Sequence, residues 1–550
     1  MKKYLVISTA LIMIMTMFIG CAKAASPAET DALNLLWWST IGTDSMFECP
    51  YTDIQSLYPF VVFDALVRID PDGKTVVPSL AKSVEYSSDR KTIAFTLVEN
   101  AKWHDGTPFT AEDVVFSYNA AIREPASILA SPMLSVSGVS DVLEGKAETV
   151  SGITADGNKV IFSLDMTDNS LTTAVFAGLK ILPKHLLKDV DLTLLSKYEA
   201  YWKKPVGTGP YKIDEVSFPN YFTAVLNEDY FGAKPSIPKL AFRSYDTGGV
   251  ESIAADLIAG RLDYASGNAV NDINSAKNIV AQNPDIKMLI VPGTYQRQFW
   301  LNNVGSTDNR YNDDLQKKEV RQAFNLLIDK EAVASFYEGQ AIALTTFVNQ
   351  EFPSYNKSIP LFKRDVNKAR EMLIQAGFDF NRPVRLLYYY EDPTSADIME
   401  LIKQNFAEAG VKLEPFLATG SVANAQLWEG VQNWDMAYGG SFDADPILIY
   451  KELTPDQGVY DGRYGAVQYR EEILAKLLND YKSASSDAEM KAAGDQLQLE
   501  ALDFCVVIPI YGMNKVVLYN TANLKLDESI FDLDLELCRD YRFETWQLVK

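Results

Sequence analysis

His104 stands beside Asp105, and a neighbouring imidazole and carboxylate are a common pair for moving a proton. The same two residues suit a hydrogen-bonded turn, because Asp105-Gly106 is a tight-turn dipeptide, and the local pattern reads as such a turn. His185 is the second of only two histidines, which leaves little material for an imidazole metal site or a Ser-His-Asp triad. No G-x-S-x-G elbow, H-E-x-x-H pair or cysteine–histidine framework occurs. Gly207-Thr208-Gly209-Pro210 has the glycines of a phosphate loop but no third glycine and no Lys-Ser/Thr. Pro210 would also interrupt the helix that such a loop needs, so the segment reads as a turn. Among 73 acidic residues, no spacing singles out a carboxylate pair for glycoside hydrolysis. The residues therefore point to no metal, no cofactor and no catalytic centre.

The chain has 550 residues, 47% apolar and 23% charged, with a formal net charge of -22. These are globular proportions, enough for about three or four structural units at roughly 150 residues each. Such an acidic surface repels phosphate backbones, which argues against DNA or RNA as a partner. It reads as a solubility device in the first place and as steering of a cationic ligand in the second. Lys2 and Lys3 precede an apolar run from Leu5 to Ile19, about the length of a signal-peptide core and short for a membrane span. Two cleavage readings compete. Phe18-Ile19-Gly20-Cys21 resembles a lipobox that would leave Cys21 lipidated, whereas Ala22-Lys23-Ala24 offers an ordinary A-x-A cut. Residues 1–20 are thus expected to be a signal peptide and 21–26 a tether, with the remainder extracytoplasmic. Loss of Lys2 and Lys3 would take the net charge from -22 to -24. Cys49, Cys505 and Cys538 remain, an odd number, with a Cys505–Cys538 bridge left open.

Period-2 and period-3.6 patterns alternate along the chain, as in a mixed α/β fold. Ile93, Phe95 and Leu97 mark a half-buried strand, after which Thr110 and Asp113 supply the cap of a helix. Asp365 is an N-cap for a helix that buries Ala369, Met372 and Leu373 and stops at Gly377. The segment from Pro383 to Tyr390 is a strand. A helix with Ile398, Leu401, Ile402 and Ala409 on one face follows and ends at Gly410, and Val411 and Leu413 enter another strand. That is a βαβ unit with a parallel pair.

The block from Pro78-Ser79-Leu80-Ala81 through Trp103-His104-Asp105-Gly106-Thr107-Pro108 to Ala111-Glu112-Asp113-Val114 resembles the signature of the family-5 extracellular solute-binding proteins. These are the oligopeptide-, dipeptide- and nickel-binding class that feeds ATP-driven importers. Further resemblances follow in order: Gly207-Thr208-Gly209-Pro210-Tyr211, Leu257 to Asp263, Glu319 to Phe324 with Ile328-Asp329-Lys330, and Asn367 to Leu373 with Ala376-Gly377. The resemblance implies an α/β bilobal periplasmic-binding-protein-like fold with discontinuous lobes that close on ligand. It places a lower lobe at 27–62, 205–293 and 510–550, an accessory domain at 63–204 and an upper lobe at 294–509. The two hinge crossings then fall near Pro292 and Pro509.

The resemblance also suggests ligand contacts. Peptide-binding members hold an ammonium group on an upper-lobe carboxylate, and the matching stretch here runs Trp434 to Pro446. Ser441 and Phe442 stand where tryptophan is usual, leaving Asp443 as first choice and Asp445 as second, with helix-capping turn residues as the alternative. Trp37, Trp38 and Ser39 end the first strand at the expected mouth. Tyr295, Arg297 and Phe299 follow the first crossing and Tyr511 the second, with Arg297 a partner for a ligand carboxylate or for a structural one. The function implied is a monomeric, lipid-anchored binding protein that delivers a peptide to a permease. An oligosaccharide or other small solute is the alternative within the family, and a secreted hydrolase or a ligand-binding sensor is the alternative outside it.

Overall fold

The computed structural model describes residues 31–37, 51, 61–70, 75–217, 221–245, 250–266, 273–303, 312–427, 433–443, 445–453, 472–531 and 541–549. Its principal strands build three sheets. β1 (Leu33–Trp37) opens the first. β2 (Ala81–Tyr86), β3 (Thr92–Leu97), β4 (Ile153–Asp156) and β5 (Lys159–Ser163) make the second. β6 (Tyr211–Ser217), β7 (Tyr221–Leu226), β8 (Lys239–Ser244), β9 (Tyr264–Ser266) and β10 (Ile286–Val291) return to the first. β11 (Gln296–Leu301), β12 (Ala341–Ala343), β13 (Val384–Tyr388), β14 (Leu413–Leu417), β15 (Met436–Ser441) and β16 (Val507–Met513) make the third. β17 (Lys515–Asn520) rejoins the first. Among the described residues the strand orders are β10-β17-β9-β1-β8-β7-β6, β2-β3-β5-β4 and β12-β16-β11-β15-β13-β14.

Local sequence explains these elements. Ile93, Phe95 and Leu97 alternate inward along β3. Thr110 and Asp113 form a capping box on the helix Ala111–Arg123, with the Thr110 amide donating to Asp113 at 2.9 Å. Asp365 accepts from the Lys368 amide at 2.9 Å, and Gly377 takes a φ of 66° just past that helix. β13, the helix Pro393–Glu408 and β14 are the expected βαβ unit, with Val384 to Tyr388 parallel to Leu413 to Leu417. One boundary moves. β16 belongs to the third sheet and runs through Pro509, so the second crossing lies at Asn514. A proline lacks the ladder donor, but a register shift between Arg297 and Gln298 accommodates Pro509 inside the sheet.

The buried apolar side chains divide the molecule. One cluster runs unbroken from the first sheet into the second, through Leu35, Phe63, Phe95, Phe162, Phe242 and Trp546. The third sheet has its own clusters, one around Phe299, Phe406 and Tyr438 and the other around Trp300, Trp434 and Ile447. Among the described residues no cluster combines 294–513 with the rest. The first two sheets therefore form one body and the third another.

The Gly207-Thr208-Gly209 turn bolts the first body together. A Cβ on Gly207 would lie 1.9 Å from the Val62 carbonyl oxygen, and one on Gly209 would lie 2.6 Å from the Val62 carbonyl carbon. His104 closes over this turn: its Nδ1 accepts from the Gly207 amide at 3.2 Å and its Nε2 faces the Gly209 carbonyl at 3.0 Å. Those partners define a neutral imidazole that donates from Nε2. Burial pushes its pKa down to about 4. Asp105 turns away to His185, at 2.8 Å from its Nε2. His104 and Asp105 are therefore turn residues with separate partners. Asp64 sits beneath, accepting from Thr208 at 3.0 Å and Tyr230 at 3.1 Å, and burial raises its pKa to about 6.

Gly207→Ala should cost more than about 2 kcal/mol in denaturant unfolding, because the clash is with backbone that cannot turn aside. Gly494→Ala, within the helix Asp487–Phe504 and with its nearest neighbours at 3.4 Å, should be neutral or gain up to about 1 kcal/mol. Asp64 makes the folded chain bind a proton that the unfolded chain releases between the ordinary carboxylate value of 3.8 and about 6. Its contribution is thus fully present below 3.8 and is lost as pH rises through 6, by at most about 3 kcal/mol. Asp64→Asn should abolish that slope, read as the wild-type minus variant unfolding free energy across pH 4 to 7 (about the range of the shift).

Candidate ligand-binding site

The two bodies are joined by two chain crossings that lie side by side. Val291 pairs with Lys515 on one side of the joint and Gln296 with Gly512 on the other, antiparallel in both cases. Between them the Met513 amide donates to the Tyr295 carbonyl at 2.8 Å. Gly293 allows the close approach, since a Cβ there would lie 2.5 Å from the Met513 carbonyl oxygen.

β13 and β15 are parallel neighbours, and β14 flanks β13 on its far side, so successive connections leave β13 and β15 in opposite directions. Their carboxyl ends, Tyr388 and Ser441, stand at the end of the sheet where β11 begins, since Gln296 pairs with Ser441. The crevice outside the carboxyl ends at such a switch point is where open α/β sheets take ligands.

A cluster of aromatic rings around one arginine fills this end. The Arg297 guanidinium lies over the Tyr390 ring at 3.4 Å from its centroid, with Tyr295 at 5.0 Å and Tyr438 at 5.8 Å. The hydroxyls of Tyr337, Tyr511 and Tyr438 form a chain, at 2.9 Å and 2.7 Å. Tyr390 donates to Tyr389 at 2.9 Å and lies 3.3 Å from the Tyr295 hydroxyl. Burial raises the pKa of Tyr438 and Tyr511 well above the ordinary phenol value, so both stay neutral. The glycine pair in β15 makes the room. A Cβ on Gly440 would lie 2.4 Å from the Tyr295 hydroxyl, and one on Gly439 would lie 2.0 Å from Trp300 on the opposite face.

The side chains beyond β15 have partners already. Ser441 donates to Glu452 at 2.7 Å, and Gln298 donates to Ser441 at 2.7 Å. Asp443 meets Lys451 at 2.6 Å. Asp445 accepts from the Tyr481 hydroxyl at 2.6 Å and from the Ile447 amide at 3.0 Å, capping the turn that follows. For either aspartate to hold a ligand ammonium, its present partner must give way. Phe442, just before Asp443, is exposed.

Of the other expected contacts, Tyr295, Arg297 and Tyr511 come together in the cluster. Tyr511 is fully buried and takes part through its hydroxyl. Phe299 is a correction: it is fully buried against Tyr438 in the core beneath and presents nothing to a ligand. The Trp37 backbone ends β1 beside Ser244, while Trp38, Ser39 and Cys21 lie outside the described residues. Tyr337, Tyr389, Tyr390 and Tyr438 were not anticipated. The run Tyr388-Tyr389-Tyr390 at the end of the expected strand was the available signal.

Contacts away from the joint also tie the bodies. Asn169 gives its amide to the Lys482 carbonyl at 2.7 Å and its side-chain nitrogen to the Ala484 carbonyl at 2.8 Å. On another side Lys277 meets Glu338 at 2.8 Å. Among the described residues, no group of three or more His, Cys, Asp or Glu side chains is placed to hold a metal ion.

Two bodies with separate cores, joined by a pair of strands and carrying an aromatic-lined sheet end at the joint, define a bilobal solute-binding protein. Residues 75–453 match the model of the bacterial extracellular solute-binding proteins, family 5. The chain belongs to that family, the solute-capturing components of ABC importers. It is 22% identical over 592 aligned positions to the oligopeptide-binding protein AppA of Bacillus subtilis, covering 100% of this chain and 99% of that one. It is 27% identical over 480 positions to the oligopeptide-binding protein OppA of Lactococcus lactis, covering 78% of this chain and 76% of that one. Among solved structures, the substrate-binding protein CtaP of Listeria monocytogenes superposes with a TM-score of 0.78 at 20% identity, over 96% of this chain and 100% of that one. That likeness establishes the bilobal fold.

Proposed function

We propose that the chain captures a peptide between its two bodies and delivers it to the membrane-spanning subunits of an ATP-driven importer. The observation that carries this reading is the tyrosine–arginine cluster at the joint, on a sheet end where closure would bring the other body over it. The oligopeptide-binding relatives support the peptide as solute. Aromatic faces give contact area without fixed directionality, which suits a ligand of varied side chains. The uncompensated guanidinium favours a charged peptide over a neutral oligosaccharide. No reacting group is assigned, since His104 and His185 are both engaged in the scaffold. The protein works as a monomer outside the cytoplasm, held to the membrane through a lipid on Cys21. No described helix is long and apolar enough to cross a membrane.

A tryptic digest of casein should raise the melting point, by about 2.7 kcal/mol of added stability when binding species stand at a hundredfold excess over Kd. A mixture of malto-oligosaccharides should leave it unchanged. A shift with the sugars alone would replace the peptide by a sugar, and turnover of either mixture would make the protein a hydrolase. For the anchor, mass spectrometry of the mature protein should find a diacylglyceryl group on Cys21, and a chain starting at Ala25 would remove it.

A further inference from the structure

Arg297 has no counter-ion among the described residues. It makes no side-chain hydrogen bond or ion pair with any described residue, and its Nη1 is closed off from solvent without an acceptor. Arg321, Arg385 and Arg542, also sheltered, each have at least one hydrogen-bonded or ion-paired partner. Arg321 gives its donors to the carbonyls of Leu315, Gln316 and Phe504. Arg385 forks onto Asp435, and Arg542 bonds the Ile69 carbonyl and Asp70. A guanidinium has five donors, and closing off even one of them without an acceptor is costly. Of the two acids that follow the cage ring Tyr390, Glu391 is exposed and Asp392 is committed to capping its helix through Ser395.

What surrounds Arg297 instead is π surface and hydroxyl. Tyr390 covers one face of the guanidinium, which leaves its edge as the part with unused donors. That edge is a planar fork, and the group that matches it is a carboxylate. The phenols of Tyr295 and Tyr389 stand in the same cage, kept neutral by burial, and Tyr390 gives its proton to Tyr389. Gly440, opposite Arg297 in the ladder, leaves room for the Tyr295 ring beside the guanidinium.

We propose that Arg297 in its tyrosine cage is the receptor for a carboxylate of the captured ligand, so that this protein selects ligands with a free carboxylate at the joint end of the site. This deepens the peptide reading and rests on it for the source of the carboxylate, either the chain terminus or an acidic side chain.

The test uses the full mature chain and a casein tryptic digest, either native or methyl-esterified so that every carboxyl group is capped. Wild type should bind the native digest at least tenfold more tightly than the esterified one. Arg297→Gln should bind both with the same low affinity, and Arg297→Lys, which keeps the charge but not the fork, should fall between. Without ligand, Arg297→Gln should stay folded and melt close to the wild-type temperature, because it loses ring contacts but no hydrogen bond or ion pair with a described residue. Failure of Arg297→Gln to fold, with Arg297→Lys melting as wild type, would make the arginine structural and overturn the proposal. So would equal wild-type binding of the two digests, or a preference for free carboxylates that survives in Arg297→Gln. Sequencing the retained peptides separates the sources: enrichment of Asp or Glu at a fixed position assigns a side-chain carboxylate, and its absence assigns the terminus. If neither digest binds, the peptide reading fails, and succinate and citrate are compared with chloride at equal ionic strength. Stabilisation of wild type but not of Arg297→Gln then keeps the carboxylate receptor with a non-peptide ligand, and no stabilisation overturns it as well.

Discussion

Two strands hold the molecule together, and they are held by each other. β10 passes into β11 and β16 into β17 as antiparallel neighbours, with ladder pairing on both sides of the joint and the Met513–Tyr295 backbone bond within it. Because no buried cluster among the described residues bridges the two bodies, little apolar contact between them opposes rotation about this pair. Backbone pairing of this kind resists stretching and shear but permits twist. The joint therefore fixes which sheet end faces the other body while leaving open how far apart they stand. Ligand binding needs only to shift that balance, and Asn169 and Lys277 supply contacts that exist only when the bodies meet.

The same constraint places the site. Tyr295 and Arg297 are the first residues past one crossing, and Tyr511 is among the last before the other. A side chain so close to the pivot moves little as the bodies turn, so it can be preorganised by packing alone. The chain of hydroxyls from Tyr337 through Tyr511 to Tyr438 is such packing: it satisfies buried phenols internally and locks the rings that border Arg297. A rigid wall on one body and a moving wall on the other is an arrangement that couples capture to closure.

Much of the fold was legible because it rests on local rules. The Thr110 box, the Asp365 cap, the stops at Gly377 and Gly410 and the βαβ unit each follow from residues a few positions apart. The family motifs were legible too, and the structure shows why they say so little about ligand. His104, Gly207 and Gly209 bolt the first body, Arg321 ties Phe504 to the helix Lys318–Leu327, and Asp329 caps the next helix. They conserve a frame. The crossing expected near Pro509 lies at Asn514 because β16 carries that proline inside the sheet, and a bulge is a tertiary accommodation that sequence does not announce. The cage was illegible as a unit. Its rings come from residues 295, 337, 389, 390, 438 and 511, with no period among them, and the partnership of Asp443 with Lys451 depends on how one turn folds back.

The charge of the whole protein gives the cage its meaning. With a net charge of -22, the surface disfavours anions at distances of about a Debye length, roughly 8 Å in physiological salt. A simple carboxylate in solution is therefore repelled on encounter, which weakens its binding at Arg297 without preventing it. A peptide that carries an ammonium group or basic side chains is not, and still brings a carboxylate. The acidic surface and the lone guanidinium then act in sequence, the first on encounter and the second at the joint. Together they select a molecule bearing both signs of charge more sharply than either would alone. Selectivity of that kind needs Arg297 to stay without an internal counter-ion, because a paired arginine would offer the arriving carboxylate nothing. A buried guanidinium donor with no acceptor beside it is thus what a receptor looks like before its ligand arrives.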